Sequence, residues 1–148
     1  MALVHDFFLF PMDLSNQMRK YQVAYVADGK MERYTNPEVA PRIDSVSSHT
    51  AWSLLRDFYR NNKALALMVD DEYVINNIMT FRKVETYCEG YIPFYGLNYY
   101  GITLIPWESL PQFTSVLREN STHNCFGELV SLCQKAYDMK HDILHCGI

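Results

Sequence analysis

Gly90–Trp107, GYIPFYGLNYYGITLIPW, contains no Lys, Arg, Asp or Glu and gathers Tyr91, Phe94, Tyr95, Tyr99, Tyr100 and Trp107 in one stretch. An uncharged run of this length needs cover, because contiguous exposed apolar surface is unfavourable in a monomer. Its second half alternates. Tyr100, Ile102 and Leu104 fall on one face of an extended chain and Tyr99, Thr103 and Ile105 on the other, which predicts a strand covered on both faces. In the first half Pro93 and Gly96 interrupt regular structure, so Tyr91, Phe94 and Tyr95 are expected on an aromatic loop, either a lid over the core or a binding surface.

Toward the C-terminus the strand ends at Ile105-Pro106. Ser109 and Gln112 stand at capping-box spacing with Pro111 in the first turn, so a helix is expected with Leu110, Phe113, Val116 and Leu117 inward. A second helix is expected from Asn124, with Phe126, Leu129, Val130, Cys133, Ala136 and Tyr137 along one face. The terminal KHDILHCGI alternates as a final strand. This strand-helix-helix-strand unit predicts an α+β fold, with α/β as the alternative, in which helices cover a single sheet.

Toward the N-terminus, residues 2–10 read as a strand stopped by Pro11. Asp13 then opens a helix carrying Leu14, Met18, Tyr21 and Tyr25, although Tyr21–Val26 is also strand-prone and Asp28-Gly29 is a hairpin signal. Residues 31–46 form a connection. A helix follows with Ala51, Leu54, Leu55, Phe58 and Tyr59 as its stripe and Asn61-Asn62 as its stop. Ala64–Val69 suits a buried strand ahead of the acidic turn Asp70-Asp71-Glu72. For Tyr73–Tyr87 two readings stand: a hairpin, or a helix capped by Asp70 or Asp71 with Val74, Ile75, Ile78 and Met79 at helical spacing.

At 148 residues with 49% hydrophobic and 20% charged content, the chain is expected to form a single domain over 1–148. Thirteen basic against 17 acidic residues give a formal charge of -4, which disfavours direct nucleic-acid binding. The apolar start MALVHDFFLFPM lacks a basic leader and carries His5 and Asp6, and no window suits a membrane span, so a cytoplasmic protein is expected. Cys88, Cys125, Cys133 and Cys146 are then reduced core residues rather than a disulfide framework.

The chemistry-bearing residues do not assemble into a catalytic signature. His141 and His145 are four apart, but on a strand they stand about 13 Å apart and cannot share a metal, and neither Cys88 nor Cys125 has a local activating motif. No phosphate loop, dinucleotide fingerprint or zinc-protease motif occurs. No cofactor, metal or enzymatic activity is therefore expected. Binding has more support: Tyr91, Tyr95 and Tyr99 are of the residue type enriched as interface anchors, and Glu85 and Glu89 precede them closely.

The run Tyr99–Phe113, YYGITLIPWESLPQF, together with a helix ending near Ala136-Tyr137 and the terminal ILHCGI, resembles immunity proteins of bacterial contact-dependent growth inhibition and related polymorphic toxin systems. The resemblance implies an antitoxin that binds a cognate toxin C-terminal domain, often a nuclease, and blocks its active site or substrate entry. An acidic surface would mimic phosphate and speed association. Under that reading Asp70, Asp71, Glu72, Glu85 and Glu89 are the charge contributors, with Tyr91 and Tyr95 as aromatic anchors. Two alternatives remain: a small enzyme with a pocket roofed by the 91–100 aromatic loop, and a self-associating adaptor module.

Overall fold

The computed structural model describes residues 4–22, 26–27, 30–31, 45–88, 92–120 and 126–147. The Phe-rich N-terminal segment forms β1 (Val4–Phe10), and Pro11 separates it from α1 (Met12–Gln22). The helix and hairpin readings of the next segment both hold in part. β2 (Val26–Ala27) pairs antiparallel with β3 (Lys30–Met31), bracketing Asp28-Gly29. α2 (Ser45–Asn62) ends at the Asn pair and leads through a 3-10 turn (Lys63–Leu65) into β4 (Leu67–Asp70). Next come α3 (Asp71–Ile75), α4 (Ile78–Phe81), β5 (Glu85–Cys88), β6 (Ile92–Tyr95) and β7 (Ile102–Ile105). A 3-10 turn (Trp107–Ser109), α5 (Leu110–Asn120), α6 (Gly127–Met139) and β8 (Asp142–Gly147) complete the order.

Six strands form one sheet in the order β4-β1-β8-β7-β5-β6. Every neighbouring pair is antiparallel, so the fold is α+β rather than α/β. Two neighbouring interior strands come from opposite ends of the sequence: β1 pairs with β8 from His5↔Gly147 to Phe10↔Asp142. The strand-helix-helix-strand unit closes on itself, with β7 beside β8.

Period-two alternation sends the two faces of the sheet to two helical layers. Phe7, Val69, Ile105 and Ile143 pack with Val74 of α3, Phe81 of α4, Phe113 and Leu117 of α5 and Leu129 and Cys133 of α6. Phe8, Phe10, Leu104 and Leu144 pack on the other face with Leu14 of α1 and Leu54, Leu55 and Phe58 of α2. In the first layer the buried rings of Phe113 and Phe126 lie 5.6 Å and 6.1 Å from that of Phe81. Burying a side chain of this size stabilises by about 1.5–3 kcal/mol.

Two expectations change. Ile92–Tyr95 is not a loop but strand β6, hydrogen-bonded to β5 with Pro93 opposite Tyr87. An edge strand tolerates proline because its outer amides have no ladder to complete. Gly96 then turns the chain at φ 82, a region open to glycine, and its N–H donates to the Val84 carbonyl at 2.8 Å. The stretch 71–81 takes the helical reading, not the hairpin. Asp71 and Glu72 lie in the first turn of α3, where helix polarity favours negative charge, and the two short helices bury Val74 and Phe81. α6 begins at Gly127, with Phe126 as its N-cap, and the expected start at Asn124 lies outside the described residues. Its far end closes with Lys140 at φ 54, where His141 N–H reaches Ala136 O at 2.8 Å and Lys140 N–H reaches Tyr137 O at 3.1 Å.

Candidate functional site

His5 and His145 both point into an otherwise apolar face of the sheet, and both are fully buried. Register brings them together. His145 pairs directly with Thr103 of β7 and with Phe7 of β1, so His5, two residues before Phe7, is its diagonal neighbour. Their rings stack at 5.1 Å with a 12° interplanar angle, and His5 Nδ1 lies 2.8 Å from His145 Nε2.

The chain of polar contacts extends both ways. His145 Nδ1 lies 3.2 Å from Thr103 Oγ1, and His5 Nε2 lies 3.0 Å from Asp71 Oδ1. The Tyr99 hydroxyl donates to the same carboxylate oxygen. Donor counting fixes the proton positions for neutral rings. The Asp71 carboxylate can only accept, so His5 Nε2–H donates to it, His5 Nδ1 accepts from His145 Nε2–H, and His145 Nδ1 accepts the Thr103 hydroxyl proton, while Thr103 Oγ1 accepts the Asn98 N–H at 2.8 Å. Four side chains are thus satisfied in one direction, from a backbone amide to a carboxylate at the surface.

The electrostatics follow from this order. The hydrogen bonds from Tyr99 and then His5 hold the Asp71 carboxyl below the usual carboxylate range. The Tyr99 phenol is pushed up to about 12, first because Asp71 holds its proton. Burial keeps His145 well below the ordinary imidazole value. Tyr99 is placed by the turn before β7. A side-chain carbon on Gly147 would collide with the Tyr99 carbonyl oxygen, and Gly147 N–H donates to Gly101 O at 2.9 Å. Position 147 must therefore be glycine for the turn to lie across the end of β8.

Chemically this arrangement positions groups. Its only partly exposed carboxylate is Asp71, whose side chain is 22% exposed, while Thr103 is wholly buried with its hydroxyl committed at both ends. On the opposite face Asp6 and Cys146, cross-strand partners, are buried beside Tyr59, whose hydroxyl reaches Asp6 Oδ2 at 3.4 Å. Burial raises the Asp6 carboxyl and pushes the Cys146 thiol up to about 12; burial does the same to Cys133. A thiol so shifted carries little thiolate at neutral pH and is a poor nucleophile. Cys88, Cys133 and Cys146 are buried thiols outside any disulfide, and Cys125 lies outside the described residues. Among the described residues no group of three His, Cys, Asp or Glu side chains converges to hold a metal.

The candidate binding residues do not form one patch. Asp70 and Glu72 are exposed at the end of β4 and the start of α3, and Asp71 between them is drawn inward to His5 and Tyr99. Glu85 and Tyr95 are exposed cross-strand neighbours on the β5–β6 hairpin. Four strand spacings, about 19 Å, separate β4 from β5. Glu89 and Tyr91 lie outside the described residues. Tyr99 and Tyr100 precede β7 in a turn, with rings 4.6 Å apart, so the described part of the aromatic segment, residues 92–100, is an edge strand followed by a turn. A groove between α5 and α6, lined by Thr114, Arg118, Gln134 and Tyr137 among others, draws on none of those residues.

The His5–His145–Asp71 chain escaped sequence reading. Its trace was present nonetheless: His5 sits among phenylalanines and His145 at an inward position of an alternating strand, where a polar group requires a buried partner. No helix among the described residues is long and apolar enough to cross a membrane. No protein-family profile matches the chain, and neither does any curated protein sequence or solved structure.

Proposed function

We propose that this chain is a cytoplasmic immunity protein that binds a cognate toxin domain, a nuclease, and blocks its active site or substrate entry. The reading rests on the likeness of the run Tyr99–Phe113, the helix ending near Ala136-Tyr137 and the terminal ILHCGI to such proteins, and on a net charge of -4 suited to a basic partner. The observation that carries it furthest is the Glu85–Tyr95 pair. Strand register holds an acid and an aromatic anchor side by side, both exposed, on the outer hairpin of the sheet. A rigid tyrosine loses little freedom on binding, and an adjacent carboxylate meets the lysines and arginines of a nuclease groove. Glu89 and Tyr91 belong by sequence to the same segment.

The test begins with the tagged chain as bait in its native strain. A stoichiometric toxin domain is expected in the complex, and its affinity for the Glu85→Lys/Tyr95→Ala variant should fall at least about tenfold, a loss of about 1.4 kcal/mol. An isolated toxin domain that binds the variant as tightly as the parent would move the interface away from this hairpin, and failure to protect cells from that toxin would sink the immunity reading.

A further inference from the structure

The two edges of the sheet are guarded differently. β6 carries Pro93, which blocks strand addition, whereas β4 reads Leu67-Met68-Val69-Asp70 with no proline and, among the described residues, no strand on its outer side. Met68 is 69% exposed and Leu65, just before it, 78% exposed. A groove runs along this edge, with residues 67–70 on one side and Tyr73, Glu128 and Leu129 on the other. Because Val69 buries its side chain, what it offers the groove is backbone.

Charge is distributed along the edge with a polarity. At the Asp70 end stand exposed Asp70, Glu72 and Glu128; at the Leu67 end stand exposed Lys63 and Lys135, the latter lining a concavity with Leu65 and Leu67. Glu128 and Lys135 lie seven residues apart on α6, two turns or about 10 Å. Leu67 to Asp70 on β4 spans about the same length. The strand and the helix run in opposite directions, and the charge gradients along them therefore point the same way in space. A uniformly basic partner would meet Lys63 and Lys135, and a uniformly acidic one Asp70 and Glu128.

We propose that β4 is the interface through which two copies of this chain pair antiparallel, edge to edge. An antiparallel second copy, with the two-fold axis at Met68 or Val69, sets the Leu67 end of one strand against the Asp70 end of its mate, so each basic end meets an acidic end, while Met68 and Leu65 of both copies are covered. Parallel addition would set like charge on like and is disfavoured. The dimer does not depend on the toxin-binding reading, which lies at the opposite edge of the sheet.

The experiment is sedimentation equilibrium on the full chain and two charge variants, Asp70→Lys/Glu128→Lys and Lys63→Glu/Lys135→Glu, with circular dichroism to verify folding. All four substituted side chains are exposed. The parent should dimerise, each variant alone should be monomeric, and their equimolar mixture should recover a heterodimer, since one edge is then basic except for Glu72 and the other wholly acidic. Met68→Lys should also abolish the dimer, and provides the test should a charge variant fail to fold. A parent that stays monomeric at about 1 mM, the weak end of specific association, overturns the proposal. So do folded variants that dimerise like the parent, or two monomeric variants whose mixture stays monomeric.

Discussion

His5 Nδ1 and His145 Nε2 lie 2.8 Å apart, joining residues 140 positions distant in the sequence through two fully buried rings. Each ring needs the other. Removing one leaves a buried nitrogen of the other without its partner, whereas removing both abolishes that mismatch and leaves unmade only the outer contacts to Thr103 and Asp71.

Single His5→Leu or His145→Leu substitutions should therefore each destabilise the fold by about 1–3 kcal/mol, the penalty of an orphaned buried polar group. The double variant should cost less than the sum. Urea unfolding of the four chains of the cycle measures the coupling, and strictly additive costs would refute the pairing.

The burial of His145 sets an acid sensitivity. Folded His145 stays neutral well below its ordinary value, while the unfolded chain takes up that proton near pH 6.5. The unfolded state then binds more protons, so stability falls as pH drops from about 7 toward the depressed folded value, at up to about 1.4 kcal/mol per pH unit. Asp71, also lowered, adds a loss only below about pH 4, through the range from its unfolded to its folded value. Asp6, raised by burial, acts in the opposite sense between its raised value and about pH 4. Urea midpoints at pH 7 and pH 5.5 should differ for the parent and converge for the His5→Leu/His145→Leu chain.

Asp71→Asn removes the charge that holds the Tyr99 proton. The Tyr99 ionisation, pushed up to about 12 in the parent, should return toward about 10. Phenolate absorbance during an alkaline titration, with Tyr99→Phe subtracted to isolate this ring, reads the change; an unmoved titration would mean that Asp71 does not restrain it.

Lys140 occupies the left-handed position that ends α6, where a side chain costs about 1 kcal/mol relative to glycine. Its ammonium lies 5.7 Å from the Trp107 ring, an exposed contact worth about 0.5 kcal/mol. Lys140→Gly should raise stability by the difference, about 0.5 kcal/mol, visible as an upward shift in thermal midpoint.

Much of the fold was legible where one period dominated. Phe7, Phe8 and Phe10 alternate between two cores, Ile102–Ile105 does the same, and the stripe of α6 is regular from Leu129 to Ala136. The reading failed where local and tertiary terms compete. Pro93 argues against a strand by itself, and only its place at the sheet edge makes it acceptable. Val74, Ile75 and Ile78 fit either period over so short a span, and packing against Phe126 and its neighbours decides for helix. The acidic residues were legible as a group but not as two groups, because strand order, set by long-range pairing, determines the distance between Asp70 and Glu85. The imidazole pair was the least legible, since no local pattern brings position 5 to position 145.

The place of β8 has a consequence for synthesis. Because β8 lies between β1 and β7, those two strands remain unbridged until the residues of β8 have left the ribosome. Up to that point the nascent chain can build helices and the β5–β6 hairpin but not the middle of its sheet, and it presents two open, largely apolar strands to whatever is nearby. Loss of residues 142–147 would divide the sheet rather than shorten it, so a transcript cut just before β8 should yield a chain that binds chaperones and is degraded instead of a slightly weakened protein.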